Sequence, residues 1–200
     1  MLGQALARLK LIGWYQSIDF YFLDLSSLPP ERPRRPAVSL REVKSSEWEE
    51  LPFAEGLHAA EEMKNQFARG SRLFAVFKGE TVVAMNWFND QFADLASINR
   101  PRVTFPKGTV YSYRAIVSPG HRRQGIGSFM KDSFSRVLRS EGYKIIFLAV
   151  FLKDVTPHLW HLANGLKRWG RVTYIDWRIG RFWWTRLTQE GRRHPDLFYA

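Results

Sequence analysis

The sequence predicts an α/β protein built around one mixed sheet, and three features predict it. Runs of strand period alternate with runs of helical period along most of the 200 residues. A strand-like stretch, Thr109 to Val117, leads through a basic, glycine-containing loop into a helix-like stretch. The longest apolar run, Ile145 to Leu152, has the length of a strand and reads as the sheet centre.

The elements follow in order. Leu2, Ala5, Leu6, Leu9 and Ile12 recur at helical spacing and predict a short amphipathic helix over 2–13. Ile18 to Leu25 predicts a strand. Ser26 to Pro36 holds four prolines and three arginines and reads as a linker. Val38 to Val43 predicts a strand. Ser46 and Glu49 stand at capping-box distance and predict a helix starting near Glu47. Leu57 to Ala68 predicts a second one. Ser71 to Phe77 and Thr81 to Phe88 flank Lys78-Gly79-Glu80 as a hairpin. An irregular connection over 89–108 precedes the Thr109–Val117 strand. After the 118–123 loop a helix is expected over 124–140, then the 144–152 strand. Thr156-Pro157 starts a helix expected to run to Arg168, with Gly170 as its stop. Arg171 to Ile179 and Arg181 to Leu187 close the chain as a hairpin. Residues 1–36 read as an N-terminal extension, 37–190 as the main domain and 191–200 as a tail.

Composition narrows the chemistry. The chain has no cysteine, which excludes a disulfide scaffold, a zinc–thiolate or iron–sulfur site and a thiol nucleophile. No run reaches the roughly 18 apolar residues that a membrane-spanning helix needs, and no secretory signal pattern is present. The expected location is the cytoplasm. The net charge of +11 is uneven: residues 1–100 carry 12 basic and 13 acidic side chains, residues 101–200 carry 18 and 6. The second half is thus expected to meet an anionic partner.

The loop after Val117 has the chemistry of a phosphate site. The first amides of a helix lack an intrahelical acceptor and lie at the positive end of its dipole. Gly125 and Gly127 let an anion approach the backbone, Arg122 and Arg123 add charge, and Ser128 adds a hydroxyl. No Gly-Lys-Ser/Thr follows, so the loop is not of the Walker type.

Arg122-Arg123-Gln124-Gly125-Ile126-Gly127 resembles the Arg/Gln-x-x-Gly-x-Gly/Ala acyl-CoA signature of the GNAT N-acyltransferase superfamily. Ile116-Val117-Ser118-Pro119 resembles its usual lead-in, and the element order over 38–187 is similar to that of the family. The resemblance implies a GNAT-like fold and an acyl-CoA donor, acetyl-CoA or another acyl-CoA, with the pyrophosphate on amides of Gln124, Gly125, Ile126, Gly127 and Ser128. It implies pantetheine paired with the backbone of Ile116 and Val117, and direct attack on the thioester by a small-molecule amine.

The resemblance breaks at the acid and base. Many members carry a Tyr four residues before the glycine that closes the penultimate helix; counted from Gly170 this position is Leu166. A Glu found in the signature strand of some members corresponds to Tyr111. Substitute candidates are Tyr111 and Tyr113, which share a strand face, and His158 near a helix start. His158 and His161 are three apart, but no further ligand stands near them, and no metal is expected. Glu61 and Glu62 are candidates for holding a cationic amine, and Trp87 for lining an apolar acceptor cleft. Alternative readings keep the fold with a long-chain acyl-CoA, an acidic acyl carrier protein or an aminoacyl-tRNA as donor, or make the chain a catalytically degenerate CoA-binding module. A homodimer through the closing hairpin is a further expectation from the family.

Overall fold

The computed structural model describes residues 12–28, 30, 37–57, 60–93, 103–152, 155–177 and 180–195; for 12–15, 155–156, 176–177 and 180–183 it describes the backbone only. The strands are β1 (Ile12–Asp24), β2 (Ser39–Val43), β3 (Arg72–Lys78), β4 (Thr81–Asn89), β5 (Phe92–Ala93), β6 (Val103–Thr104), β7 (Thr109–Val117), β8 (Ile145–Phe151), β9 (Lys167–Trp177) and β10 (Gly180–Leu187). The helices are α1 (Ala60–Ala68), α2 (Ile126–Ser140), α3 (Val155–Ala163) and α4 (Gln189–Arg193). The chain divides into two units, one of Asp24–Phe92 and Lys107–Ile146, the other of Met1–Leu23, Ala93–Pro106 and Phe147–Ala200. We call them the loop unit and the terminal unit.

In the loop unit the strand order is β7-β4-β3-β2, with antiparallel pairs throughout. Both sheet faces are covered, which is why β3 and β4 read as continuous apolar runs. One face buries Leu73, Ala75, Phe77, Met85 and Trp87 against Trp48, Leu57 and Met63. On the other, Phe88 meets Phe74 and Phe134 of α2 edge-on at ring separations of 5.4 and 4.8 Å. Such geometry suits the ring quadrupoles and adds to the burial of the rings.

In the terminal unit the strand order is β10-β9-β1-β8. β1 lies between β9 and β8, so this part of the N-terminal segment is an inner strand of the sheet. Phe20, Phe147 and Trp169 form one aromatic cluster, with Phe20 and Phe147 stacked at 5.3 Å. α4 seals it: Trp169 Nε1 donates to the His194 carbonyl at 2.8 Å, and a Cβ at Gly191 would collide with the Trp169 carbonyl.

Several elements differ from the sequence expectations. The expected 2–13 helix falls mostly outside the described residues, but its end does not, because Ile12 and Gly13 already belong to β1. The helix expected from Glu47 is only a 3-10 turn, Trp48–Glu50, with no side-chain cap. Glu47 instead accepts from the Lys44 amide, and the backbone around Pro52 bonds to Val82, turning the segment into an addition to the sheet. The helix expected over 156–168 ends at Ala163. Gly165 takes the left-handed conformation at φ +82° and its amide bonds to the Leu162 carbonyl, a glycine stop. Gly170 is a strand residue, needed because a Cβ there would come within 2.8 Å of the Arg186 carbonyl. The linker residues 31–36, the middle of the 89–108 connection and the end of the tail lie outside the described residues.

Candidate functional site

The expected phosphate loop lies wholly in the loop unit. β7 pairs with β4 but carries an extra residue: Met85 faces Ile116 and Trp87 faces Tyr113. The bulge falls at Arg114, whose φ is +53°, and it bends the strand just before Ile116 and Val117. A bulge of this kind re-aims the backbone that follows it. Below it, the Ser118 amide donates to the Val83 carbonyl at 3.0 Å and fixes the start of the loop.

The loop then turns through residues 119–121 as one 3-10 turn. Arg123 (φ +61°) and Gly125 (φ +78°) both adopt the left-handed conformation. For Arg123 that costs about 1–2 kcal/mol, strain of the sort stored where backbone groups must converge. Arg122 before them is extended, so the chain reverses direction within the turn before α2 starts. The Phe129 amide, bonded to the Gly125 carbonyl at 3.0 Å, begins the α2 ladder. The side chain of Ile126 is buried and anchors the helix, so its contribution to a ligand is its amide. A Cβ on Gly125 would meet nothing within 4 Å, so the outer side of the turn is open. Arg122 Nε donates to the Val117 carbonyl at 3.1 Å, tying the guanidinium to the strand end, while Gln124 Nε2 donates to the Gly120 carbonyl. Arg122 and Arg123 have no carboxylate partner among the described residues. The loop therefore presents helix-start amides and two cations at one place. Those donors fit a pyrophosphate.

A groove of about 320 Å³ lies along α1, lined by Glu61, Glu62, Asn65, Gln66 and Arg69. Glu61 is exposed there, whereas Glu62 forms an ion pair with Arg114 at the bulge. Tyr113 stands at its side: its hydroxyl donates to Gln66 Oε1 at 2.8 Å and lies 2.6 Å from Ser71 Oγ. Tyr111 is buried and stacks on Tyr113 at 5.7 Å. Trp87 is only 1% exposed. Its ring packs on Phe67 at 4.9 Å in the core, so it does not line the groove.

His158 lies in the terminal unit and is engaged at both ring nitrogens. Nδ1 is 2.7 Å from the Tyr21 hydroxyl and Nε2 is 3.0 Å from the Phe151 carbonyl. A carbonyl can only accept, so Nε2 carries a proton, and in the neutral ring Nδ1 accepts from Tyr21. His161 packs on the Tyr21 ring, and its Nδ1 is buried without a partner. Burial, with a smaller contribution from the charge of His158, lowers its pKa to about 4. Because the helix closes at Gly165, the position four residues before the closing glycine is His161, not Leu166. Two glycines five apart concealed this in the sequence; the Asn164-Gly165 pair was the available signal. Among the described residues no group of three or more possible metal ligands occurs, and no helix is long and apolar enough to cross a membrane.

Comparison with known proteins identifies the family. The profile of the Acetyltransferase (GNAT) family matches residues 39–159. No curated protein matches the chain. Among solved structures, it is similar to a functionally unknown conserved protein from Staphylococcus epidermidis, at 15% identity, 86% coverage of this chain, 64% of that chain and a TM-score of 0.55. It is similar to a tandem GNAT protein from the clavulanic acid biosynthesis pathway, at 16% identity, 94% and 59% coverage and a TM-score of 0.54. A putative GNAT-family acetyltransferase from Novosphingobium aromaticivorans gives 9% identity, 82% and 65% coverage and a TM-score of 0.53. This chain spans under two thirds of the length of each of these three. At such identities the likeness is one of fold. With more than half of its length matched by the profile, the chain belongs to the Acetyltransferase (GNAT) family.

Proposed function

We infer that the protein is an acyl-CoA-dependent N-acyltransferase that moves an acetyl group from acetyl-CoA to the primary amine of a small molecule. The observation that carries this reading is the strand–turn–helix of 116–128, with its left-handed Arg123 and Gly125 and its carboxylate-free arginines. In this reading the amides of Gln124 to Ser128 hold the pyrophosphate, and the backbone of Ile116 and Val117 carries the pantetheine. Residues 37–190 form the transferase domain, and 1–36 are an elaboration that supplies it with β1. The donor is a cytoplasmic metabolite, and the reading includes a cytoplasmic location.

The amine attacks the thioester carbonyl directly, since a cysteinyl intermediate has no residue to form on. The C–N bond forms, the C–S bond breaks, the thiolate leaves and takes a proton, and the amine loses one. Glu61 draws a cationic amine to the α1 groove. Of the candidate acids, Tyr113 is favoured, because its hydroxyl is bonded to Gln66, a residue of that groove. His158 has both nitrogens occupied, and Tyr111 is buried. The test is mass-spectrometric detection of acetyl transfer to a panel of small amines. Tyr113→Phe is expected to lower kcat about 10²- to 10⁴-fold with little change in acetyl-CoA binding. An unchanged kcat would remove Tyr113 from the mechanism, and no transfer to any amine, with acetyl-CoA bound, would favour a non-catalytic CoA-binding role.

A further inference from the structure

The terminal unit carries a second cationic surface, built differently from the loop. Asp19 on β1 is 3% exposed and lies between two guanidiniums of β9. Arg171 donates to it twice, Nε to Oδ1 at 2.7 Å and Nη2 to Oδ2 at 3.1 Å, and Arg168 Nη2 donates to Oδ1 at 2.6 Å. Both arginines keep about a third of their side-chain surface exposed, at 34% and 37%. One buried carboxylate thus fixes the orientation of two guanidiniums, which turn toward it, with Arg168 Nε buried, while about a third of each side chain stays in contact with solvent.

The register extends this surface onto β10. Arg186 stands directly opposite Arg171, and Trp184 directly opposite Thr173. Directly opposed residues of an antiparallel pair share a face, and so do residues two apart on a strand. The Ser17–Thr173 side-chain hydrogen bond and the Asp19–Arg171 pair mark which face it is. Arg171, Arg186 and Trp184 therefore share one side of the sheet, and Arg168, opposite Tyr21 beyond the bulge and bonded to Asp19, joins them; among the described residues they share it with one carboxylate. Arg186 is exposed and forms no ion pair among the described residues. Like charges directly opposite destabilise a sheet, and Arg186 facing Arg171 is such a pair. Trp184 is 51% exposed, the largest apolar side chain among the exposed ones described. Asp19 offsets one of these charges, so the described residues of this face keep a net positive charge beside an aromatic ring left in water, which suits an anion carrying flat groups.

The β1 part of this face is buried, with Tyr21 bonded to His158 of α3. We propose that the exposed part, on β9 and β10, binds a single-stranded nucleic acid, with Arg168, Arg171 and Arg186 on phosphates and Trp184 stacked on a base. The planar forks of arginine suit phosphate oxygens, and an aromatic side chain on a sheet is a sequence-tolerant stacking platform. The excess of 18 basic over 6 acidic residues in 101–200 supplies the long-range attraction. This inference does not depend on acyl transfer.

The test is fluorescence anisotropy of a labelled single-stranded RNA of about 12 nucleotides with the full chain, in about 50 and 200 mM salt. Trp184→Ala is expected to weaken binding about 5- to 150-fold, the loss of one stacked base. Arg186→Gln is expected to reduce the slope of log K against log salt by about 0.7, one phosphate contact on a single strand. Both positions are exposed, so Trp184→Ala should keep the wild-type melting curve, Arg186→Gln, which relieves the repulsion with Arg171, should melt no lower than wild type, and both should keep the shift with acetyl-CoA. Gly125→Val is expected to leave RNA binding unchanged. The proposal is overturned if wild type does not bind, if Trp184→Ala binds as well as wild type, or if Gly125→Val removes binding. It is also overturned if polyglutamate of equal charge binds with the same dependence on Trp184, which would assign the face to an acidic protein.

Discussion

The two units handle positive charge in opposite ways. In the loop unit several cations have carboxylate partners: Arg72 bonds both Glu42 and Glu141, Arg41 pairs with Glu47, and Arg114 with Glu62. Arg122 and Arg123, beside the left-handed turn that opens α2, have none among the described residues. In the terminal unit one buried carboxylate serves two arginines, and a third faces them across the ladder. A dedicated site is therefore recognised by cations without a carboxylate that stand beside a helix-opening turn. A broad surface is recognised by cations held in place while still facing solvent.

The largest expected effect on this contrast comes from Asp19→Asn. Burial would raise the pKa of Asp19, but hydrogen bonds and charge from Arg171 and Arg168 outweigh it and hold the carboxyl below its ordinary value. The stability this gives is present above the unfolded pKa and is lost as pH falls through the folded one. Removing the charge leaves two guanidiniums together with no counterion, and about 3–5 kcal/mol of stability should vanish in urea titrations at pH 7. A loss under about 1 kcal/mol would mean that the pair is solvated like a surface bridge.

His161 gives the next effect, in a separate pH window. Its folded pKa near 4 lies below the ordinary histidine value, so the unfolded chain binds the proton more readily. Its contribution is complete above about pH 6.5 and is lost as pH falls toward 4, by at most about 3 kcal/mol. Replacing His161 by Phe should flatten stability between pH 6.5 and 4 and leave the steeper acid loss due to Asp19. An unchanged slope would show that His161 is hydrated and titrates normally.

The smallest effect belongs to the loop unit. Arg72→Met removes ion pairs from β3 to Glu42 on β2 and to Glu141 beyond α2. With the site about a quarter exposed, roughly 1–2 kcal/mol should be lost. Glu42, held low chiefly by its hydrogen bonds from Arg72, should then titrate nearer its ordinary range, visible as an upfield-to-normal shift in its carboxyl NMR titration.

What the sequence made legible differs between the units for the same reason. A phosphate loop needs particular residues at contiguous positions, because backbone amides within one turn must converge, and 116–128 shows them in a row. The hairpin of β3 and β4 was equally plain, its apolar runs flanking Lys78-Gly79-Glu80. The face on the terminal unit needs Asp19 beside Arg168 and Arg171, separated by 149 and 152 residues, and no local pattern announces such a meeting. Trp184 looked like one more strand aromatic. The end of α3 was missed because Gly170 resembles a helix stop, whereas its small size serves the close approach of β10. Glu47 suggested a helix because a capping box is a local signal; Pro52 and the pairing of its neighbours with Val82 are tertiary facts that override it.

The most direct test of the loop is a thermal melt of wild type and Gly125→Val with and without acetyl-CoA. At 100 times its dissociation constant, the ligand should stabilise wild type by about 2.7 kcal/mol. Valine at φ +78° is strained, so the variant should melt a few degrees lower and should show no shift with acetyl-CoA. Equal shifts in both proteins, or none in wild type, would contradict the assignment of the 122–128 turn to the donor's pyrophosphate.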